Sequence, residues 1–121
     1  MSQSFYEILK DEGIAQLVEA FYSNVMEDER ISGLFTTDLD LVKEKQRLFL
    51  TQFFGGPALY IQKFGHPRMR MRHMPHKIDE PAAIAWLQNM KKAIDTLDIT
   101  DDQKVALFNA FPRLAGHMVN A

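Results

Sequence analysis

Residues 14–26 read IAQLVEAFYSNVM, and their apolar members decide the fold class. Ile14, Leu17, Val18, Phe21, Tyr22, Val25 and Met26 recur at the i, i+3, i+4, i+7 spacing that lines one side of an α-helix, while Gln16, Glu19 and Glu27 face away. The same period returns upstream and downstream, and no alternating run supports a strand.

Towards the N-terminus, Ser4 lies three residues before Glu7 in a capping-box pattern, so a short helix is expected to run towards Lys10 and break at Gly13. Downstream, a turn of Asp28, Glu29, Arg30, Ser32 and Gly33 leads to Leu34 and Phe35. Thr37 or Asp38 can then cap a third helix, whose inward stripe is Leu39, Val42, Gln46, Phe49, Leu50 and Phe53. Gly55, Gly56 and Pro57 end it and open an irregular stretch to about residue 67, with Tyr60 and Phe64 as anchors. Residues 68–74 have room only for a short helix, because Pro75 disfavours helical geometry at Met74. Asp79, Glu80 and Pro81 start a long helix with the apolar face Ala83, Trp86, Leu87, Met90, Ala93, Ile94 and Leu97. Thr100 with Gln103 makes a second capping box, opening a last helix through Val105, Phe108, Phe111, Ala115 and Val119 that Pro112 should kink. The class is all-α, and residues 1–121 read as a single domain.

Composition narrows the chemistry. With 121 residues, 46% hydrophobic and 25% charged, the chain is an ordinary globular domain that can build a core without disulfides. It has 0 Cys, which excludes zinc ribbons, thiol catalysis, iron–sulfur clusters and covalent haem attachment through CxxCH. No apolar run approaches the roughly 20 residues of a membrane span, and the opening MSQSFYEILKDEG has neither the basic nor the apolar part of a signal peptide. A cytoplasmic location without a membrane partner is expected. The net charge of −2 conceals a segregation of sign: seven of the 14 basic residues and no acid lie between Glu44 and Asp79. Either an anion sits against this basic middle or its residues pair with carboxylates elsewhere.

Helical bundles hold ligands between facing helices, so polar interruptions of the apolar faces matter most. Tyr22, Gln46 and Trp86 are such interruptions, each bearing a donor. Each either satisfies itself on a nearby backbone carbonyl or converges with the others on a small ligand. His73 and His76 could be spaced with Asp79 for a metal, but Pro75 breaks the helix that such a pair requires. The segment Arg68, Met69, Arg70, Met71, Arg72, His73 could touch phosphates with Tyr60 and Phe64 stacking on bases, yet a pI near 6.1 argues against nucleic acid. Basic residues beside a candidate axial histidine also suit the propionates of haem, whose flat apolar body needs an aromatic and Met-rich lining.

The run Phe53, Phe54, Gly55, Gly56, Pro57, followed by Gly65, His66, Pro67, Arg68, Met69, Arg70, Met71, Arg72, His73 and then Ala85, Trp86, Leu87, resembles the group II truncated haemoglobins. The similarity extends from residue 5 to residue 120, through Phe21 and Tyr22 to the closing His117, Met118, Val119 and Asn120. The resemblance implies a truncated-globin fold, a two-over-two helical sandwich around noncovalently held haem b. It makes His73 the proximal iron ligand, Tyr22 and Trp86 distal donors, and Gln46 and Val42 the distal positions of the third helix. Phe35 would pack on the haem face and Arg72 would pair with a propionate, with Phe49, Met69, Tyr60, Lys63 and His76 completing the haem-contacting set.

Two positions depart from common globin patterns. Val42 stands where many globins have a distal histidine, and it can neither donate a hydrogen bond nor ligate iron; Phe35 stands where some relatives carry Tyr. The resemblance implies reversible binding of dioxygen, CO and NO at pentacoordinate iron, with tight retention by Tyr22 and Trp86, in a monomer or weak homodimer serving supply, scavenging or sensing. The alternative is an enzyme, a nitric oxide dioxygenase or peroxidase-like catalyst. It would require a separate reductase, since this chain shows no flavin or nicotinamide domain.

Overall fold

The computed structural model describes residues 4–34, 38–65 and 80–113, and every regular element within them is helical. In order these are α1 (Phe5–Met26), a 3-10 turn (Ser32–Leu34), α2 (Leu39–Phe53), α3 (Leu59–Phe64), α4 (Glu80–Asp95) and α5 (Asp101–Phe108). Helix α1 packs on both α4 and α2, α2 carries α3, and α4 carries α5.

Ser4 opens α1 through a reciprocal cap: its Oγ accepts from the Glu7 N–H at 3.1 Å, and Glu7 Oε1 accepts from the Ser4 N–H at 3.3 Å. The break expected at Gly13 falls instead at Lys10, which has φ 59° and ψ −179°. Gly13 continues the helix, and its role is steric. A Cβ there would stand 3.0 Å from Leu9 Cβ, so glycine admits the buried Leu9 side chain beside the bend. A lysine at positive φ costs roughly 1–3 kcal/mol, partly offset in a glycine variant by unfolded-state entropy. Since Lys10 is exposed, Lys10→Gly is expected to stabilise the fold by about 1 kcal/mol. A urea midpoint unchanged or lowered in the variant would contradict a strained Lys10.

Asp38 caps α2, accepting from the N–H groups of Asp40 at 3.1 Å and Leu41 at 3.3 Å. Thr37, the other candidate, lies outside the described residues. Leu48, Leu50 and Thr51 are buried on α2, whereas Phe53, expected in the stripe, is 41% exposed at the helix end. Its neighbour Phe54 takes the inward place, edge-on to Phe5 at 5.8 Å and to Phe111 at 6.0 Å. The Phe54 carbonyl accepts from the Tyr6 N–H at 3.1 Å, which closes the end of α2 onto the start of α1. Gly56 is needed at that closure, because a Cβ would meet the Tyr6 ring at 2.7 Å and the Thr51 carbonyl at 2.8 Å.

The stretch after Pro57 is not wholly irregular: it winds into α3 and buries Tyr60. On α4 the inward face is Ala82, Ala85, Asn89, Met90, Ala93 and Ile94, with Ala83, Trp86 and Leu87 only partly covered. The second capping box forms as expected, with the Gln103 N–H to Thr100 Oγ1 at 3.1 Å and the Thr100 N–H to Gln103 Oε1 at 2.9 Å. Helix α5, however, stops at Phe108 rather than running on through a kink. Pro112 has no N–H to give the Phe108 carbonyl, which accepts from the Phe111 N–H at 3.0 Å, and residues 112 and 113 are again helical. Leu107 and Phe111 point inward, while Val105, expected on the inner face, is 61% exposed. Ala115 and Val119 lie outside the described residues. The core is continuous from Ile14, Leu17 and Phe21 of α1 to Met90 and Ile94 of α4 and Phe111, each such side chain contributing about 1.5–3 kcal/mol by burial.

Candidate functional site

Tyr22 of α1 and Gln46 of α2 meet where these helices pack. Tyr22 is 4% exposed and its hydroxyl donates to Gln46 Oε1. The amide that interrupts the α2 stripe thus has a buried phenol as its partner, and the interruption is no accident of composition. Burial pushes the Tyr22 phenol well above its ordinary value, so it stays protonated and able to donate at any physiological pH. Gln46 accepts through its carbonyl and keeps an amide group with two hydrogens. Val42 lies one helical turn before Gln46 and is half-buried.

Aromatic contacts extend from this pair and from the same helices. The buried Phe21 lies edge-on to Tyr22 at 5.0 Å and to Trp86 of α4 at 5.1 Å, so one ring links the two expected distal donors. Trp86 also contacts Phe111 at 5.6 Å. Phe49 of α2 stacks on Phe53 at 5.6 Å and meets Tyr60 of α3 edge-on at 5.9 Å. Tyr22 and Gln46 are therefore brought together, as are Phe49 and Tyr60, while Trp86 joins through Phe21.

Lys63 stands apart from this group. Its exposed ammonium lies 2.7 Å from Glu44 Oε1 and 5.5 Å over the Phe64 ring, with Lys45 at 5.2 Å over the same ring. That ion pair holds the Glu44 carboxyl below its ordinary range. An anion approaching Lys63 would have to compete with Glu44 for its charge. Phe35, Met69, Arg72, His73 and His76, the remaining expected haem contacts, lie outside the described residues.

A second polar group escaped sequence reasoning. Asn89 is 2% exposed on α4 and bonds to Asp28 Oδ2 at 3.0 Å. Arg30 grips the same carboxylate, Nη2 to Oδ2 at 2.7 Å and Nε to Oδ1 at 3.0 Å, at the edge of an open depression of about 440 Å³. The signal was the one that exposed Gln46, a polar residue in an apolar stripe, here between Ala85 and Ala93.

Arg30's hydrogen bonds, and secondarily that from Asn89, hold the Asp28 carboxyl well below the usual carboxylate range. The folded chain therefore favours ionised Asp28 more than the unfolded chain does. This contribution to stability is complete above the ordinary value of 3.8 and is lost as pH falls from there towards the depressed folded value. The stability difference between wild type and Asp28→Asn is expected to narrow as pH is lowered from about 6 to about 3; denaturant titrations showing a pH-independent difference would contradict this.

A buried phenol paired with a side-chain amide, with aromatic rings on the same helices, is a donor set of the kind that suits a polar ligand beside a flat apolar macrocycle, and on that chemistry the residues described here fit a haem. Among the described residues no helix is long and apolar enough to cross a membrane. The bacterial-like globin family model matches residues 4–120. The group 2 truncated haemoglobin YjbI of Bacillus subtilis is 41% identical over an alignment of 123 positions that covers 99% of this chain and 93% of that protein. The crystal structure of the group II truncated haemoglobin from Bacillus anthracis superposes with a TM-score of 0.93 at 36% identity, covering 100% of this chain and 94% of that one. A truncated oxygen-avid haemoglobin from Bacillus subtilis superposes with a TM-score of 0.90 at 39% identity, covering 98% and 100% respectively. Sequence and fold agree over nearly the full length, and the chain belongs to the bacterial-like globin family as a group II truncated haemoglobin.

Proposed function

We propose that the protein binds haem b noncovalently and retains dioxygen, reversibly and tightly, through polar groups of its own distal side. The buried Tyr22–Gln46 pair, set among aromatic rings, carries this reading. Haem supplies the iron at which dioxygen, CO or NO is taken up. On the family pattern His73 would hold the iron through one ring nitrogen, its other nitrogen donating to a fixed acceptor, and Arg72 would pair with a propionate. Tyr60 and Phe49 would line the macrocycle.

The distal residues then divide the work. A dioxygen molecule gains negative charge on binding, so a hydrogen bond donated to it is charge-assisted and worth roughly 1.5–3 kcal/mol. The Tyr22 hydroxyl has a single hydrogen and gives it to Gln46 Oε1; a ligand must win that hydrogen. The Gln46 amide can offer its own N–H in the exchange. Trp86 supplies a second donor type, an indole N–H with no competing acceptor role. Val42 has no atom able to ligate iron or to donate a hydrogen bond, so polar contacts to a diatomic ligand would come from Tyr22, Gln46 and Trp86.

Retention of this kind favours holding over rapid delivery, and one of the related structures is that of an oxygen-avid haemoglobin. The test is reversibility in the reduced, haem-loaded protein. Spectra that change on aeration and return when dioxygen is removed support the binding reading, and a one-way loss of the reduced spectrum contradicts it.

A further inference from the structure

Asn89 follows Trp86 at i+3, close to one helical turn, so both side chains leave α4 on the same side. Asn89 Nδ2 donates to the Ala85 carbonyl at 2.8 Å and to Asp28 Oδ2 at 3.0 Å, which occupies both of its hydrogens. The Asn89 backbone carbonyl accepts from Asn24 Nδ2 of α1 at 3.4 Å. Asp28 just follows α1 and is itself fixed by Arg30, whose Nη2 also donates to Gln88 Oε1 at 2.8 Å.

The turn of α4 that carries Trp86 is therefore tied at residue 89 to the end of the helix that carries Tyr22, through the Asn89 side chain to Asp28 and the Asn89 backbone to Asn24, while the bond to Ala85 fixes the Asn89 side chain on α4 itself. The two helices also meet here through the Phe21–Trp86 ring contact, at 5.1 Å and 63° between planes. Ring contacts tolerate a range of offsets and angles at little cost. Hydrogen bonds to a charged, immobilised carboxylate do not, because they are short, directional and roughly twice as strong as neutral ones.

We propose that Asn89, anchored by Asp28, is a positioning residue for ligand retention: it sets where the Trp86 indole stands relative to the Tyr22 hydroxyl. The inference rests on the reading of Tyr22 and Trp86 as ligand donors. A clamp that only joined α1 to α4 would change stability when cut and leave ligand behaviour alone. A positioning group also changes the ligand's surroundings.

The experiment uses haem-loaded Asn89→Leu and Asp28→Asn beside Tyr22→Phe and Trp86→Phe, with two readouts: the dioxygen dissociation rate and the infrared stretching band of bound CO. Asn89→Leu is expected to release dioxygen about three- to tenfold faster, the range set by weakening one hydrogen bond, and to shift or split the CO band. Asp28→Asn moves both in the same direction by less. Wild-type rates and bands in both Asn89→Leu and Asp28→Asn, whatever their melting temperatures, overturn the inference while leaving the donors in place. Wild-type rates in Tyr22→Phe and Trp86→Phe as well overturn the retention reading itself. Where Asn89→Leu fails to take up haem, Asp28→Asn decides by the same two readouts, its carboxylate lying at the rim of an open depression rather than in the core.

Discussion

Replacing His73 by Ala is expected to abolish high-affinity haem binding, weakening it by more than about 100-fold. That floor follows from the 10- to 100-fold losses that changes behind a metal ligand already cause; removing the ligand itself exceeds them. The remaining hold would be apolar contact with rings such as Phe49 and Tyr60 and the pairing of propionates with basic residues. Because the variant deletes an imidazole and nothing else that could ligate iron, added free imidazole should restore much of the ferrous spectrum. Haem titration followed by absorption checks both points. Unaltered affinity with an unaltered ferrous and CO spectrum would remove His73 from the iron. His66, His76 and His117 would then be the candidates.

The second large effect is kinetic. Tyr22→Phe is expected to speed dioxygen dissociation roughly tenfold, since one charge-assisted donor is worth about 1.5 kcal/mol or more and each 1.4 kcal/mol is a decade. The substitution keeps the ring that packs on Phe21 and removes one oxygen, so packing is nearly conserved. Gln46 limits the effect. Once its Oε1 loses the Tyr22 hydrogen bond, the side-chain amide can turn and donate to the ligand, so the double variant Tyr22→Phe/Gln46→Leu should exceed the single one. Release of CO, which accumulates less negative charge, should change much less. Stopped-flow replacement of dioxygen by CO measures the rate, and an unchanged rate in Tyr22→Phe would take the phenol out of the distal network.

What the sequence disclosed follows from how local each signal is. Both capping boxes, Ser4 with Glu7 and Thr100 with Gln103, form as read, because four adjacent residues contain the whole motif. The cap at Asp38 belongs to the same class. The bend at Lys10 had no such signature: its strain sits on a lysine, and the glycine three residues on serves the close approach of Leu9 instead. Helix α3 was hidden by its six residues between Pro57 and Gly65, too few for a period to show. Phe53 and Val105 were placed inward by their period near helix ends, where the buried positions are Phe54 and Leu107 instead.

The candidate site divides in the same manner. Gln46 was legible because an amide in an apolar stripe demands a partner, and the partner proved to be Tyr22. Asn89 obeyed the same rule and passed unnoticed, since its partner, Asp28, lies 61 residues away in a segment that read as a surface turn. The assignment of His73, Arg72 and Phe35 rests on the family pattern, which orders residues along the chain without giving their surroundings.

The most direct test of the central claim is an absorption spectrum of the purified protein, as isolated and after haem addition, in ferric, dithionite-reduced and reduced-plus-CO forms, for wild type and His73→Ala. A saturable haem band at one haem per chain, with a CO shift that depends on His73, is the expected result. Absence of stoichiometric haem uptake by the wild type would contradict the haem reading, and the acid-free stretch between Glu44 and Asp79 would then need another anionic partner.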